Sequence, residues 1–283
     1  MVKTAAMNIE SLTQIYFTFD KPVPYKVGTD TPNVKKTLYI KPVPLKDIWL
    51  FLSSIDIFNI DKNAIPDVKV IQMSYLQFLN EMLIRGDEVN KQKFVNIMIL
   101  CLGLEWPAIV YKNGKPYVKD LKSDILIDGR HFDDIRKIIM HQNIPKFDDA
   151  YINPELKKNM DEVDALKNKD YVVPSLERKM AIITSHTGLP KREQCEMTYR
   201  SFSLLFEEVC GEVEFSTVRP AILAVGSKKE LEHWIFKKEK GKFDNYVKSV
   251  ESYSDSIGGG SAMKVQGTEQ SDKYIERYES FSV

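Results

Sequence analysis

Histidine, cysteine and net charge are all scarce in this sequence. Four histidines and three cysteines stand among 283 residues, and 40 basic side chains cancel 40 acidic ones. The charge balance argues against a surface built to neutralise phosphates, so nucleic acid is disfavoured as a partner. It also removes one barrier to self-association. Cys101, Cys195 and Cys210 are odd in number, match no metal-ligand spacing and read as buried thiols suited to a reducing compartment. The most apolar stretch, residues 94–110, is interrupted by Cys101, Gly103, Glu105 and Pro107, too broken to span a membrane. Residues 1–10 lack the basic flank and apolar run of a secretory signal.

Chemistry is equally sparse. The nearest approach to a metal set is His131, Asp133, Asp134 and His141, but the two histidines are ten residues apart and adjacent aspartates diverge on a helix. Ser185 and His186 are neighbours in sequence, which does not supply the base-to-nucleophile geometry of an activated serine. None of the 13 glycines forms a dinucleotide fingerprint or a phosphate loop. The expectation is therefore no enzyme, with no catalytic residue, no cofactor and no metal.

What is present is ordinary globular composition, 43% hydrophobic and 28% charged. Ile15, Phe17 and Phe19 alternate over residues 13–20 and predict a strand stopped by Pro22 and Pro24; Leu38 and Ile40 predict a second over residues 36–41. From Leu45 the period becomes helical, through Leu45, Ile48, Trp49 and Leu52, then Leu76, Phe78, Leu79 and Met82, then Phe94, Ile97, Met98 and Cys101. Asn113-Gly114 predicts a hairpin turn at about residues 108–118, a short strand follows at residues 125–127, and Phe132 opens a helix with Ile135, Ile138 and Ile139 inward. Residues 143–174 read as a charged connector with a short helix around 156–165. Ser175 caps a further helix, interrupted at Thr187-Gly188. Cys195, Tyr199, Phe202, Leu205, Phe206 and Val209 stripe one long helix, with residues 215–225 partly extended after it.

The fold class expected is α+β and mainly α-helical, with a small N-terminal antiparallel sheet and a short hairpin packed with a multi-helix body. Its parts are a β element at residues 1–43, a helical body at 44–145, a charged connector at 146–174, a C-terminal helical region at 175–257, and a glycine-rich linker and tail at 258–283. Six lysines between Lys228 and Lys242 are diluted by Glu230, Glu232, Glu239 and Asp244, and suit a solvated or partner-facing helix face. Trp234, Phe236, Phe243 and Tyr246 on that segment are the candidate partner-binding residues.

Several segments carry a resemblance. They are Asp128-Gly129-Arg130-His131-Phe132-Asp133-Asp134-Ile135-Arg136-Lys137-Ile138-Ile139 with Gln142-Asn143-Ile144-Pro145, then Tyr151-Ile152-Asn153-Pro154-Glu155-Leu156, Pro174-Ser175-Leu176-Glu177 and Glu196-Met197-Thr198-Tyr199-Arg200-Ser201-Phe202. Over roughly residues 10–250 the chain resembles the tail assembly chaperones encoded among the tail-morphogenesis genes of phages of Gram-positive bacteria. The resemblance implies a protein of the host cytoplasm that binds the tape measure protein, with the tail tube protein as a second partner. It would keep the long hydrophobic helices of the tape measure from aggregating before tail tube polymerisation. It implies no catalytic residues. The same texture also fits a structural tail, baseplate or connector protein retained in the virion tail. Helix-in-groove recognition is the mode such a helical body would use.

Overall fold

The computed structural model describes residues 8–65, 67–148, 154–167, 173–224 and 235. The mainly helical α+β class is borne out. Five strands form one antiparallel sheet: β1 (Val23–Thr29), β2 (Lys35–Ile40), β3 (Pro107–Lys112), β4 (Lys115–Asp120) and β5 (Ile125–Asp128), in the order β2-β1-β5-β4-β3. The N-terminal strands and the central hairpin are thus one sheet, joined through β5, which pairs with β1 at Gly28 and Thr29 and with β4 at residues 117–119. The expected turn at Asn113-Gly114 is present, both residues having positive φ, 53° and 74°. Such a turn matches the right-handed twist of the two strands it connects.

The first expected strand is absent. Residues Ile9–Ile15 form α1, whose exposed amides are capped by the Asn8 side chain, and a tight helical turn, Phe17–Phe19, ends at Asp20 with φ 54°. The alternation there is misleading because only Phe17 is buried, while Ile15 and Phe19 are 55% and 62% exposed. Local capping wins where no partner strand is available. The strand forms instead across Val23–Thr29, with Pro24 inside it. Proline is tolerated because β5 reaches β1 only at Gly28 and Thr29, so the missing N–H of Pro24 falls where β1 has a single neighbour.

The helices follow as α2 (Ile48–Leu52), α3 (Val68–Gln72), α4 (Tyr75–Phe78), α5 (Glu88–Ile97), α6 (Gly129–Asn143), α7 (Pro154–Lys167), α8 (Leu176–Thr187), α9 (Lys191–Glu196) and α10 (Tyr199–Ala224). After α4 the chain widens into a π-type turn over Leu79–Ile84, which rotates Met82 outward, 56% exposed, against the expectation that it packs inward. The helix expected to run unbroken from Pro190 is two helices. Met197 is extended, φ −66° and ψ 153°, and ends α9 before Tyr199 begins α10. Residues 215–224, expected to be partly extended, continue α10 through Pro220.

One face of the sheet is buried. Val23, Val27, Leu38, Ile40, Val118 and Ile127 lie on it, and α6 covers it with Phe132, Ile135, Ile138 and Ile139. Phe132 is the hub: its ring meets Phe58 edge-on at 5.6 Å and Phe94 at 6.2 Å between centroids. Asn143, at the end of α6, is buried and fully engaged. Its Oδ1 accepts from the Val43 amide at 2.7 Å, and its Nδ2 donates to the Ile139 carbonyl at 2.9 Å.

Candidate functional site

Asp128, His131, Asp133, Asp134 and Arg136 of the Asp128–Ile139 segment are occupied in building the fold. Asp128 caps α6 by accepting from the His131 amide at 2.9 Å, and its Oδ1 also lies 2.9 Å from His131 Nδ1. The hydrogen bond from His131 holds the Asp128 carboxyl below its usual range, and the same contact raises His131. Asp133 accepts from the Tyr75 amide at 3.0 Å, and burial pushes its carboxyl up. Asp134 accepts from the Tyr25 hydroxyl at 2.6 Å; burial, then this bond, raises Tyr25 above its ordinary value. Arg136 donates to the Phe58 carbonyl at 2.8 Å and lies 3.8 Å over the Tyr75 ring.

The segment Glu196–Phe202 behaves alike. Thr198 and Ser201 donate their hydroxyls to the two oxygens of Asp20 at 2.6 and 2.7 Å, and Arg200 donates to the His141 carbonyl at 3.1 Å. Glu196 pairs with Lys46 at 2.8 Å, and Phe202 is buried. These contacts lock the start of α10 against the N-terminal turn and the end of α6.

His131, Asp133, Asp134 and His141 are not gathered around one point: the first three have the separate partners just named, and the His141 ring packs edge-on against Phe147 at 4.9 Å. Among the described residues no group of three or more His, Cys, Asp or Glu side chains could hold a metal ion. His186 does meet a carboxylate, Nε2 lying 3.0 Å from Glu212 Oε2 between α8 and α10. Ser185, however, donates its hydroxyl to the Ile182 carbonyl at 2.9 Å, so serine and imidazole are not coupled. Cys101 is buried, and burial raises its thiol, but Cys195 is half-buried and Cys210 exposed, contrary to the expectation of three buried thiols. No helix among the described residues is long and apolar enough to cross a membrane. Trp234, Phe236, Phe243 and Tyr246 lie outside the described residues.

The sequence predicts a helix through Ile48, Trp49 and Leu52, but not how much of α2 stays exposed. All five of its residues, Ile-Trp-Leu-Phe-Leu, are apolar, yet only Ile48 and Phe51 are buried. Trp49 is 66% exposed, and Leu50 and Leu52 also face outward. A helix of five residues packed on one side cannot hide a stripe that continues around it. One turn after Trp49, Ser53 begins the wall of a cleft of about 480 Å³, lined by Ser53, Ser54, Val89, Gln92, Lys93 and Asn96, with Glu88 at its end.

The cleft's far wall is α5. Val89, Gln92, Lys93 and Asn96 recur at spacings of three and four, one helical face, and Val89 is 67% exposed. Asp87 starts this helix by accepting from the amides of Val89 and Asn90 at 2.9 and 3.1 Å. The two walls are tied by a hydrogen bond from Asn96 Nδ2 to Ser54 Oγ at 3.2 Å and by the Lys93–Asp56 ion pair. The signal available in the sequence was the density of α2: five consecutive apolar residues exceed what one buried helical face can absorb.

No protein-family model, no curated protein and no solved structure matches the chain.

Proposed function

We propose that this chain holds other proteins, as a phage tail assembly chaperone that binds the tape measure protein before the tail tube polymerises. The observation that carries the binding reading is the exposure of the apolar side chains Trp49, Leu50 and Leu52 of α2, immediately before the Ser53–Ser54 turn that forms an open cleft with exposed Val89 and the rest of the α5 face. A tryptophan exposed to this degree contributes most when a partner covers it, and aromatic anchors dominate protein–protein affinity. The cleft's two walls, the Ser53–Ser54 turn and α5, are tied by the Asn96–Ser54 hydrogen bond, so it is preformed and the entropic cost of docking a helix is small. An amphipathic helix laid along α5 would set its apolar face on Val89, and its polar edge would meet Gln92 and Glu88.

The identity of the partner rests on the likeness of the segments around residues 128–145 and 196–202 to tail assembly chaperones. Because those segments build the core and the α10 junction, the likeness concerns the scaffold that carries the cleft.

The test is affinity isolation of the tagged full chain from infected cells, with mass spectrometry, set beside the protein content of purified particles. The chaperone reading expects the tape measure protein among the captured proteins and this chain absent from particles. Presence in particles at fixed copy number would replace it with a structural tail protein.

A further inference from the structure

The sheet has a second face, and nothing among the described residues buries it. The registers that send Val23, Val27, Leu38, Ile40, Val118 and Ile127 inward place the alternate residues of every strand outward, and each of these is exposed or half-buried. Five of them are lysines: Lys26 on β1, Lys35 on β2, Lys112 on β3, and Lys115 and Lys119 on β4. Two are tyrosines, Tyr39 on β2 and Tyr117 on β4. Asp128 is the one acidic residue at these positions, and it is engaged with His131. The neutral total charge of the chain therefore conceals a segregated basic face.

The face already shows how it receives an oxyanion. Asp30, just past the end of β1, places one carboxylate oxygen 2.9 Å from Lys112 Nζ and the other 2.8 Å from Lys119 Nζ. Hydrogen bonds from Lys119 and Lys112 hold that carboxyl below its ordinary range. Lys26, Lys35 and Lys115 form no ion pair among the described residues. Three unpaired ammonium groups, a further pair closed on an internal carboxylate and two outward phenol rings are a set that acts together on one kind of polymer. A strand of nucleic acid offers phosphates to the lysines and unpaired bases to the rings, as open antiparallel sheets take single strands by stacking. An acidic peptide would satisfy the lysines and leave the tyrosines without a role.

We propose that the open face of the β2-β1-β5-β4-β3 sheet binds single-stranded nucleic acid, with Lys26, Lys35 and Lys115 on phosphates, Tyr39 and Tyr117 under bases, and Asp30 as an internal competitor for Lys112 and Lys119. This surface is separate from the cleft along α5, so either proposal can fail alone.

The test is fluorescence anisotropy of labelled oligo(dT) and oligo(rU) titrated with the full chain, with polyglutamate as competitor. Three phosphate contacts predict a slope of log affinity on log salt of about −2 for a single strand. Replacing Lys26, Lys35 and Lys115 together by serine should abolish measurable binding at about 50 mM salt. Tyr39→Ala and Tyr117→Ala should each weaken it by about five-fold or more. Asp30→Asn should tighten binding and steepen the salt slope by releasing two lysines, a gain that misfolding cannot imitate. All these positions are at the surface, and an unchanged melting temperature verifies each variant. No binding at low salt overturns the proposal. So does binding that ignores the lysine substitutions, which would place it elsewhere on the chain. Efficient competition by polyglutamate with no effect of the tyrosines would show an acidic protein partner instead, and would also overturn it.

Discussion

Gly129→Ala tests the packing at the start of α6 with a single methyl group. A Cβ built at residue 129 would lie 2.6 Å from Ser74 Oγ and 2.9 Å from Ser74 Cβ, both shorter than a tolerable contact. Rotating the hydroxyl away would relieve only the first, and would break the N-cap of α4, where Ser74 Oγ accepts from the Gln77 amide at 3.2 Å. The cap is worth about 1 kcal/mol, and forcing a methyl group into a packed contact costs about 1–3 kcal/mol. Against this, alanine in a helix gains about 0.5–1 kcal/mol over glycine. The balance is a loss of about 1–3 kcal/mol, or roughly 2–4 °C of melting temperature per kcal/mol for a domain of this size. Urea denaturation followed by tryptophan fluorescence measures it. Ser74→Gly removes both clashing atoms and itself costs only a few tenths of a kcal/mol as a cap. The double variant should therefore be more stable than Gly129→Ala alone, a coupling that sequence-distant, non-contacting sites do not show. If Gly129→Ala matches or exceeds the wild type, the close approach of α6 to α4 is refuted.

Other outcomes follow from the same contacts. Asn143→Ala should cost about 2–4 kcal/mol in denaturant unfolding, because it leaves the buried Val43 amide without an acceptor. Asp20→Ala should free the start of α10, seen as faster hydrogen exchange at residues 199–203 while the middle of α6 stays protected. The His131–Asp128 contact stabilises in a defined pH window. His131 is raised on folding, so its contribution is complete below about pH 6.5 and is lost as pH rises through its folded value, whereas Asp128, lowered, loses its share only as pH falls below about 4. With Asp134 and Lys35 acting on the same ring, His131→Gln should lower the melting temperature at pH 5.5 and leave it unchanged at pH 8.5, the contact being worth at most about 1 kcal/mol at this exposure.

The sequence was most legible where geometry is local. Asn113-Gly114 declared a hairpin because only a turn with two positive φ values uses that pair readily. Ser175 and Gly188 bracket α8 as cap and left-handed terminator, φ 77° at the glycine. The interior of α6 was equally plain, since Phe132, Ile135, Ile138 and Ile139 repeat at helical spacing and all are buried. Residues 13–20 misled because period-two hydrophobicity says nothing about whether a neighbouring strand exists. The hidden capping residue Asn8 decided the matter. The break at Met197 was invisible because its cause is distant: the Met197 carbonyl accepts from Leu45, and Asp20 fixes Thr198 and Ser201 from the other end of the chain. The candidate cleft was half legible. Trp49 and Leu52 stood out as a helical stripe, but which face of α2 would be buried depended on α5 and on the short turn that follows α2. The basic sheet face was not legible at all, because its lysines come from four strands and converge only when the register is known.

The central claim is that the α2–α5 surface holds a hydrophobic helix of a tape measure protein. The direct measurement is co-expression of the full chain with helical segments of a phage tape measure protein, reading the soluble fraction of those segments. The wild type should keep them soluble, and a Trp49→Ala, Val89→Lys double variant of unchanged melting temperature should leave them aggregated. Segments that stay equally soluble with the variant, or that aggregate with the wild type, would contradict the account.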